Sequence, residues 1–267
     1  MRAGVVHRYV VAVVLLLLLG AAVGCGSSSG GEVVGTSGVT TKAFDLSGFT
    51  AVRVDNDCSA TVSRGDAFKV SVTVNENLVQ YLQVEVKGDT LHIGLDTAKK
   101  YRLADLRAEI TMPSIAGAEA SGASDAYLTD FSSTDALSLK ASGASQLSLR
   151  DVKAGAVTFD GSGASRIEGS LACDDLSGVV SGASTATMAG SASTATLEGS
   201  GASKVLMNQF MVKNLTVTLS GASQGAVRAT AKIDVDLSGA SKLDYYGTAR
   251  LGKASVTGVS QISHIQD

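Results

Sequence analysis

The stretch LSLKASGASQLSLR, residues 137–150, decides the fold. Leu137 and Leu139 alternate with polar residues before Ser142-Gly143-Ala144-Ser145, and Leu147 and Leu149 alternate after it. Successive side chains leave a strand on opposite sides, so a period of two marks a strand with one buried face. The four letters SGAS start at residues 121, 142, 162, 181, 200, 220 and 238, at intervals of 18 to 21, and Thr257-Gly258-Val259-Ser260 is a worn eighth copy. Later copies keep the alternation, as in Val217 and Leu219 or Val235 and Leu237. No helical period interrupts it.

A period near 20 residues built only of strands predicts an all-β, single-stranded parallel β-helix, a β-solenoid in which each repeat is one coil stacked on the last. At roughly 3.3 Å per residue a coil traces about 65 Å, enough for two or three short strands with corners between them. Coils about 4.8 Å apart would carry the eight motifs over about 34 Å. A right-handed winding is expected by analogy with parallel crossovers.

The repeat of SGAS follows from the corner. A chain that turns sharply at the same height in every coil needs a residue tolerant of positive φ, and Gly122, Gly143, Gly163, Gly182, Gly201, Gly221 and Gly239 are the structural corner glycines of this reading. The alanine beside each is expected to file into a narrow corner of the interior. The serines are expected to bond their own turn or the next rung; a ligand-binding serine ladder is the functional alternative.

Residues 43–115 depart from the repeat. Ala67–Val74 alternates, Tyr81–Val86 and Thr90–Leu95 flank a Lys87-Gly88-Asp89 turn, and Asp105–Met112 alternates again before Pro113. These longer strands are expected to start the solenoid and cover its first coil, because an open end exposes unpaired edges. At the other end Gln261, His264, Gln266 and Asp267 break the apolar pattern as a polar terminus.

The N-terminus reads as an address. Arg2, His7 and Arg8 precede an apolar run from Val10 to Leu19, and Ala22-Val23-Gly24 stand before Cys25. That order resembles a bacterial lipoprotein signal, with Ala22 where such signals most often carry Leu. Residues 1–24 are expected to be removed, Cys25 to be lipidated, and residues 25–42, which include GSSSGG, to form a flexible tether. The SGAS-repeat helix then spans 116–267. This makes the chain an exported protein, lipid-anchored to the bacterial cell membrane and facing the periplasm or the extracellular side. The net charge of −3 becomes more acidic without Arg2 and Arg8, which argues against a nucleic-acid partner.

Five segments together resemble a known family: the opening Phe44…Phe49-Thr50-Ala51-Val52-Arg53-Val54, then Arg64-Gly65-Asp66…Val70-Ser71-Val72, then Gly88-Asp89-Thr90-Leu91-His92-Ile93, then Ile110-Thr111-Met112-Pro113, and the SGAS coils. From about Phe44 onward the sequence is similar to the head GIN domain of putative auto-transporter adhesins. The resemblance implies a β-helical fold and a surface or envelope location, and supplies no catalytic residues. No long run of membrane-barrel strands follows the last coil, so self-export through such a barrel is not expected.

The chemistry-bearing residues are sparse. Asp174-Asp175, Asp125, Asp130 and Asp160 do not recur at one coil position and read as solvated loop acids. His92 and His264 stand alone, no paired cysteine spacing announces a metal, and no Gly-x-Ser-x-Gly elbow is present. Cys58 and Cys173 read as two small buried residues several coils apart. Exposed aromatics suited to sugars are limited to Tyr127, Phe131, Tyr245 and Tyr246, while Phe159 and Phe210 are expected in the core and one of the adjacent Tyr245 and Tyr246 outside it. No catalytic site, cofactor or metal is therefore expected. The reading is a non-catalytic, membrane-anchored envelope lipoprotein with an adhesin-like binding scaffold, its partners being the membrane through Cys25 and a surface ligand, protein or glycan. A carbohydrate-active β-helix enzyme and a structural module assembling end to end are the alternatives.

Overall fold

In the computed structural model, which describes residues 32–266, strand stacks on strand in parallel register from Gly117 to Ile265. The expected lipidation site Cys25 and the leader lie outside the described residues. Each coil has a face leading into the SGAS corner, such as Leu137–Ala141, and a face leading out of it. Between Gln146 and Leu237 the strands run 14 to 16 residues and wrap from one face to the next, so only the SGAS corner interrupts them. The other corners keep their pairing because neighbouring coils bend at the same place. Asp151 turns one such corner at φ 53° beside a register shift between Leu149 and Val152.

At the SGAS corner the seven glycines take φ between 70° and 77°, and Gly258 of the worn copy takes 71°. From Ala144 onward each amide after the glycine donates to the glycine carbonyl of the coil before, as Ala183 does to Gly163 at 2.7 Å. The alanine is not interior. Ala123, Ala144, Ala164, Ala183, Ala202, Ala222 and Ala240 are exposed, and the serine that follows each is buried. The period of two runs on through the corner, as in Leu139, Ala141, Gly143, Ser145 and Leu147, so the inward place falls to the serine and the alanine before it points out. The buried hydroxyls meet one another and the corner backbone: Ser165 Oγ donates to Ser184 Oγ at 3.2 Å, and Ser145 Oγ lies 2.6 Å from the Ser142 carbonyl. A buried hydroxyl without such a partner would cost about 1–3 kcal/mol.

The interior alternates bulk between coils. Phe159 sits in register with Gly178, and a Cβ at Gly178 would lie 2.0 Å from the Phe159 ring. Phe210 pairs in register with Gly190, an exposed position, and both phenylalanines are buried as expected. Leu139, Leu197, Val217 and Val235 continue the column of Phe159 and Gly178 as buried apolar side chains.

The N-terminal segment does more than precede the first coil. Ala51–Val54 and Cys58–Arg64 form a coil inside the stack, paired on one side with Gly117–Ala120 and Asp125–Thr129 and on the other with Thr90–Leu95 and Leu106–Met112. The chain thus leaves this coil, builds the one beyond it, and returns past it. Outside that terminal coil the pairing becomes antiparallel: Leu82–Lys87 on Thr90–Leu95, Lys69–Asn75 on Leu106–Met112, and Val39–Phe44 on Lys69–Asn75. A 3₁₀ helix, Glu76–Tyr81, buries Leu78 between them. Asn75, 3 % exposed, pins two loops by donating to the Thr36 carbonyl and accepting from the Asp105 amide.

Candidate functional site

The outer face after the SGAS corner carries one row of side chains in register, Tyr127, Ser148, Glu168, Thr187 and Leu206, each on a successive coil. Ser148 and Thr187 are short, and the backbone next to Glu168 is Gly169, held at φ 130° with its missing Cβ only 2.0 Å from the Leu149 carbonyl oxygen. No side chain fits at that point, so the surface dips. The result is an open groove of about 490 Å³ lined by Ser148, Glu168, Gly169, Thr187, Leu206, Asn208 and Gln209 among others. It adjoins a second depression of about 280 Å³ beside Tyr127 and Arg150, with Ser148 and Leu149 common to both.

Polar contacts set the floor and lip. Gln146 Nε2 donates to Glu168 Oε1 at 2.9 Å and to Ser148 Oγ at 3.1 Å, while Arg166 Nε stands 4.0 Å from Glu168 Oε2. The lip at Asn208 is a bulge: Thr187 pairs with Leu206 but Ala189 pairs with Gln209, so this coil holds one residue more than the one before. Arg228 ties it down, its Nε donating to the Asn208 carbonyl at 2.9 Å and its guanidinium 5.7 Å from the Tyr246 ring centroid. The sequence carries a signal for this lip, since the SGAS interval lengthens from 19 to 20 at this coil. Glu168 and the dip at Gly169 had no such signal, because they arise from which residues the register stacks.

The residues singled out in the sequence do not converge. Asp174 and Asp175 are exposed, and Asp175 accepts from Thr194 Oγ1 on the next coil. Asp125 and Asp160 lie on different faces, and Asp130 is an exposed corner residue at φ 65°. Among the described residues no group of His, Cys, Asp and Glu is placed to hold a metal ion. His264 stacks on Tyr245 at 4.5 Å between centroids, and its Nε2 is 2.9 Å from the Gly247 carbonyl oxygen. Of the neighbouring tyrosines Tyr245 points inward and Tyr246 is half-buried. Phe131 belongs to the core, and Tyr127 is 37 % exposed.

Both described cysteines are free. Cys58 is fully buried, whereas Cys173 is half-buried, because its coil turns there and leaves the thiol at the rim of the core. Loss of water around the thiolate pushes each up to about 12, with Asp55 adding to the effect at Cys58 and Asp174 and Asp175 at Cys173. Neither is set up as a nucleophile.

Residues 48–249 match the model of the family described as "Putative auto-transporter adhesin, head GIN domain". No curated protein matches the chain. Among solved structures, a putative lipid binding protein from Parabacteroides distasonis superposes with a TM-score of 0.83 at 17% identity, covering 88% of this chain and all of its own. A putative adhesin from the same species gives 0.79 at 21% identity, covering 88% and 100%. A putative adhesin from Parabacteroides merdae gives 0.77 at 17%, covering 88% and 99%. At these identities the likeness concerns the fold.

Proposed function

Since the chain belongs to the head GIN domain family of putative auto-transporter adhesins, we propose that it is a non-catalytic adhesin, exported and held to the bacterial cell membrane by a lipid on Cys25. The family match over residues 48–249 carries this reading. It fits a solenoid whose outer faces present side chains at a fixed spacing over many coils, a geometry suited to extended binding surfaces. The leader sequence and the small residues before Cys25 support the anchor, and among the described residues no helix is long and apolar enough to cross a membrane.

Adhesion is tested with beads coated with the full chain and presented to intact bacterial envelopes and to cultured epithelial cells. Attachment above that of albumin-coated beads is the expected result; a folded chain that attaches to neither surface overturns the adhesin reading. Turnover of an envelope glycan by the purified chain would overturn its non-catalytic part. The anchor is tested separately: Cys25→Ser is expected to move the protein from the detergent phase to the aqueous phase of a partition assay. Unchanged membrane retention, with no acyl mass on the wild-type chain, would remove the lipoprotein assignment.

A further inference from the structure

The groove on the outer face after the SGAS corner is a built feature, and its chemistry identifies a class of ligand. Together with the adjoining depression beside Tyr127 its floor runs across five coils from Tyr127 to Leu206, and four intervals of about 4.8 Å make it roughly 19 Å long. Every strand beneath it is paired on both sides. An extended peptide therefore finds no backbone edge to join there, which removes the main source of affinity for strand addition. What the floor does offer is hydroxyl, carboxylate and amide groups from Ser148, Thr187, Glu168, Asn208 and Gln209, together with the partly exposed Tyr127 ring in the adjoining depression. Tyr127 has the short side chains of Thr61 and Ser148 as its register neighbours, so its ring stands above them.

A pyranose ring is the group that matches both parts, since it has an apolar C–H face for an aromatic and a rim of hydroxyls that both donate and accept. The Glu168 carboxylate is already held by Gln146 and keeps acceptor capacity for a sugar hydroxyl. Asn208 and Gln209 close the far end on a bulge fixed by Arg228, so the length of the site does not depend on a mobile loop. We propose that this groove binds a neutral oligosaccharide lying along the solenoid axis, one ring against Tyr127 and hydroxyls on Glu168 and the Asn208–Gln209 lip. The assignment rests on the adhesin reading above and names the ligand class of that adhesin.

The test is fluorescence polarisation with the full chain and labelled cellotetraose, chitotetraose, mannotetraose and xylotetraose as probes. Saturable binding of at least one is expected, weakened tenfold or more by Tyr127→Ala and by Glu168→Gln, and unchanged by Asp236→Asn on the other face. Circular dichroism of each variant separates loss of binding from loss of fold, and Asn208→Ala, an exposed position, supplies a second groove variant if Tyr127→Ala unfolds. Binding that survives all the groove variants places the sugar elsewhere and overturns the assignment. Absence of binding by all four probes overturns it too. If coated beads still attach to cells in that case, the adhesin reading stands without the glycan; if attachment is lost as well, both fall.

Discussion

A valine at position 182 would place its Cβ 2.6 Å from the Gly163 carbonyl oxygen of the adjacent coil, at a φ of 70° that branched side chains avoid. Gly182→Val is therefore expected to cost clearly more than the roughly 1 kcal/mol of an ordinary glycine replacement, measured by urea unfolding. The two residues after it should respond in opposite ways. Ala183 is exposed, so Ala183→Glu is expected to change stability by no more than about 0.5 kcal/mol. Ser184 accepts from the amide and hydroxyl of Ser165, so Ser184→Val should cost about 1–3 kcal/mol by stranding those donors. A reversed order would mean that the corner faces the other way. The cysteines give a pH dependence whose sign is set by burial. Their folded values, about 12, lie above the ordinary 9.0, so burial of the neutral thiol contributes stability that is present below about pH 9 and is lost as pH rises toward 12. Alkylation at pH 8, mapped by mass spectrometry, should be far slower at Cys58 and Cys173 than in a free peptide; rapid labelling of Cys58 in the folded chain would contradict its burial.

Between neighbouring coils, the unit of packing is the register pair, and in Phe159 with Gly178 a ring fills the space that a second side chain would need. Phe159→Ala should cost about 3–5 kcal/mol by leaving a cavity. Gly178→Ala should also destabilise, since its methyl would meet the ring. The double variant is expected to be more stable than the sum of the two losses predicts, because the new methyl enters the space the ring has left; additive losses in urea unfolding would show that the two side chains do not share that space. Register pairs of this kind also explain how far the sequence could be read. Strand positions from Leu137 to Leu237 are legible because the repeat sets the same alternation again and again. The corner is legible in its glycine, and its serine was legible too, since counting by twos from Ala141 through Gly143 reaches Ser145; the small size of the alanine is what suggested an interior place that the alternation does not give it. The pairing order of the N-terminal strands was hidden, since nothing local in Ala51–Val54 says that Thr90–Leu95 will lie beside it on one side and Gly117–Ala120 on the other. The groove was hidden for a related reason: Gly169 is a dip only because Ser148 and Thr187 flank its neighbour Glu168 on the coils before and after.

The two ends of the stack are built differently, and in a solenoid that difference sets where opening begins. Each coil contacts only its neighbours, so a terminal coil is held from one side and its stability depends on what covers it. At the N-terminal end Leu82, Val84 and Val86 pack from an antiparallel strand onto the core, and Asn75 and the Glu76–Tyr81 helix close the remaining gap. At the other end every residue of Arg250–Val256 is exposed, with Leu251 at 39% and Val256 at 42%, and among the described residues nothing pairs with the outer edge of that strand. Amide hydrogen exchange should therefore be fastest in residues 250–265, slow progressively through the coils before them, and be slowest in the interior coils between Val157 and Leu219. Replacing the inward Val84 by Asp should add a second fast-exchanging zone in residues 82–95 while leaving the gradient at the far end unchanged, because the two ends are separated by many independent interfaces. Mass-spectrometric exchange of the wild-type chain and Val84→Asp reads both effects. Uniform protection along the chain, or simultaneous loosening of both ends in the variant, would show that the molecule opens as one cooperative unit rather than coil by coil from its uncovered end.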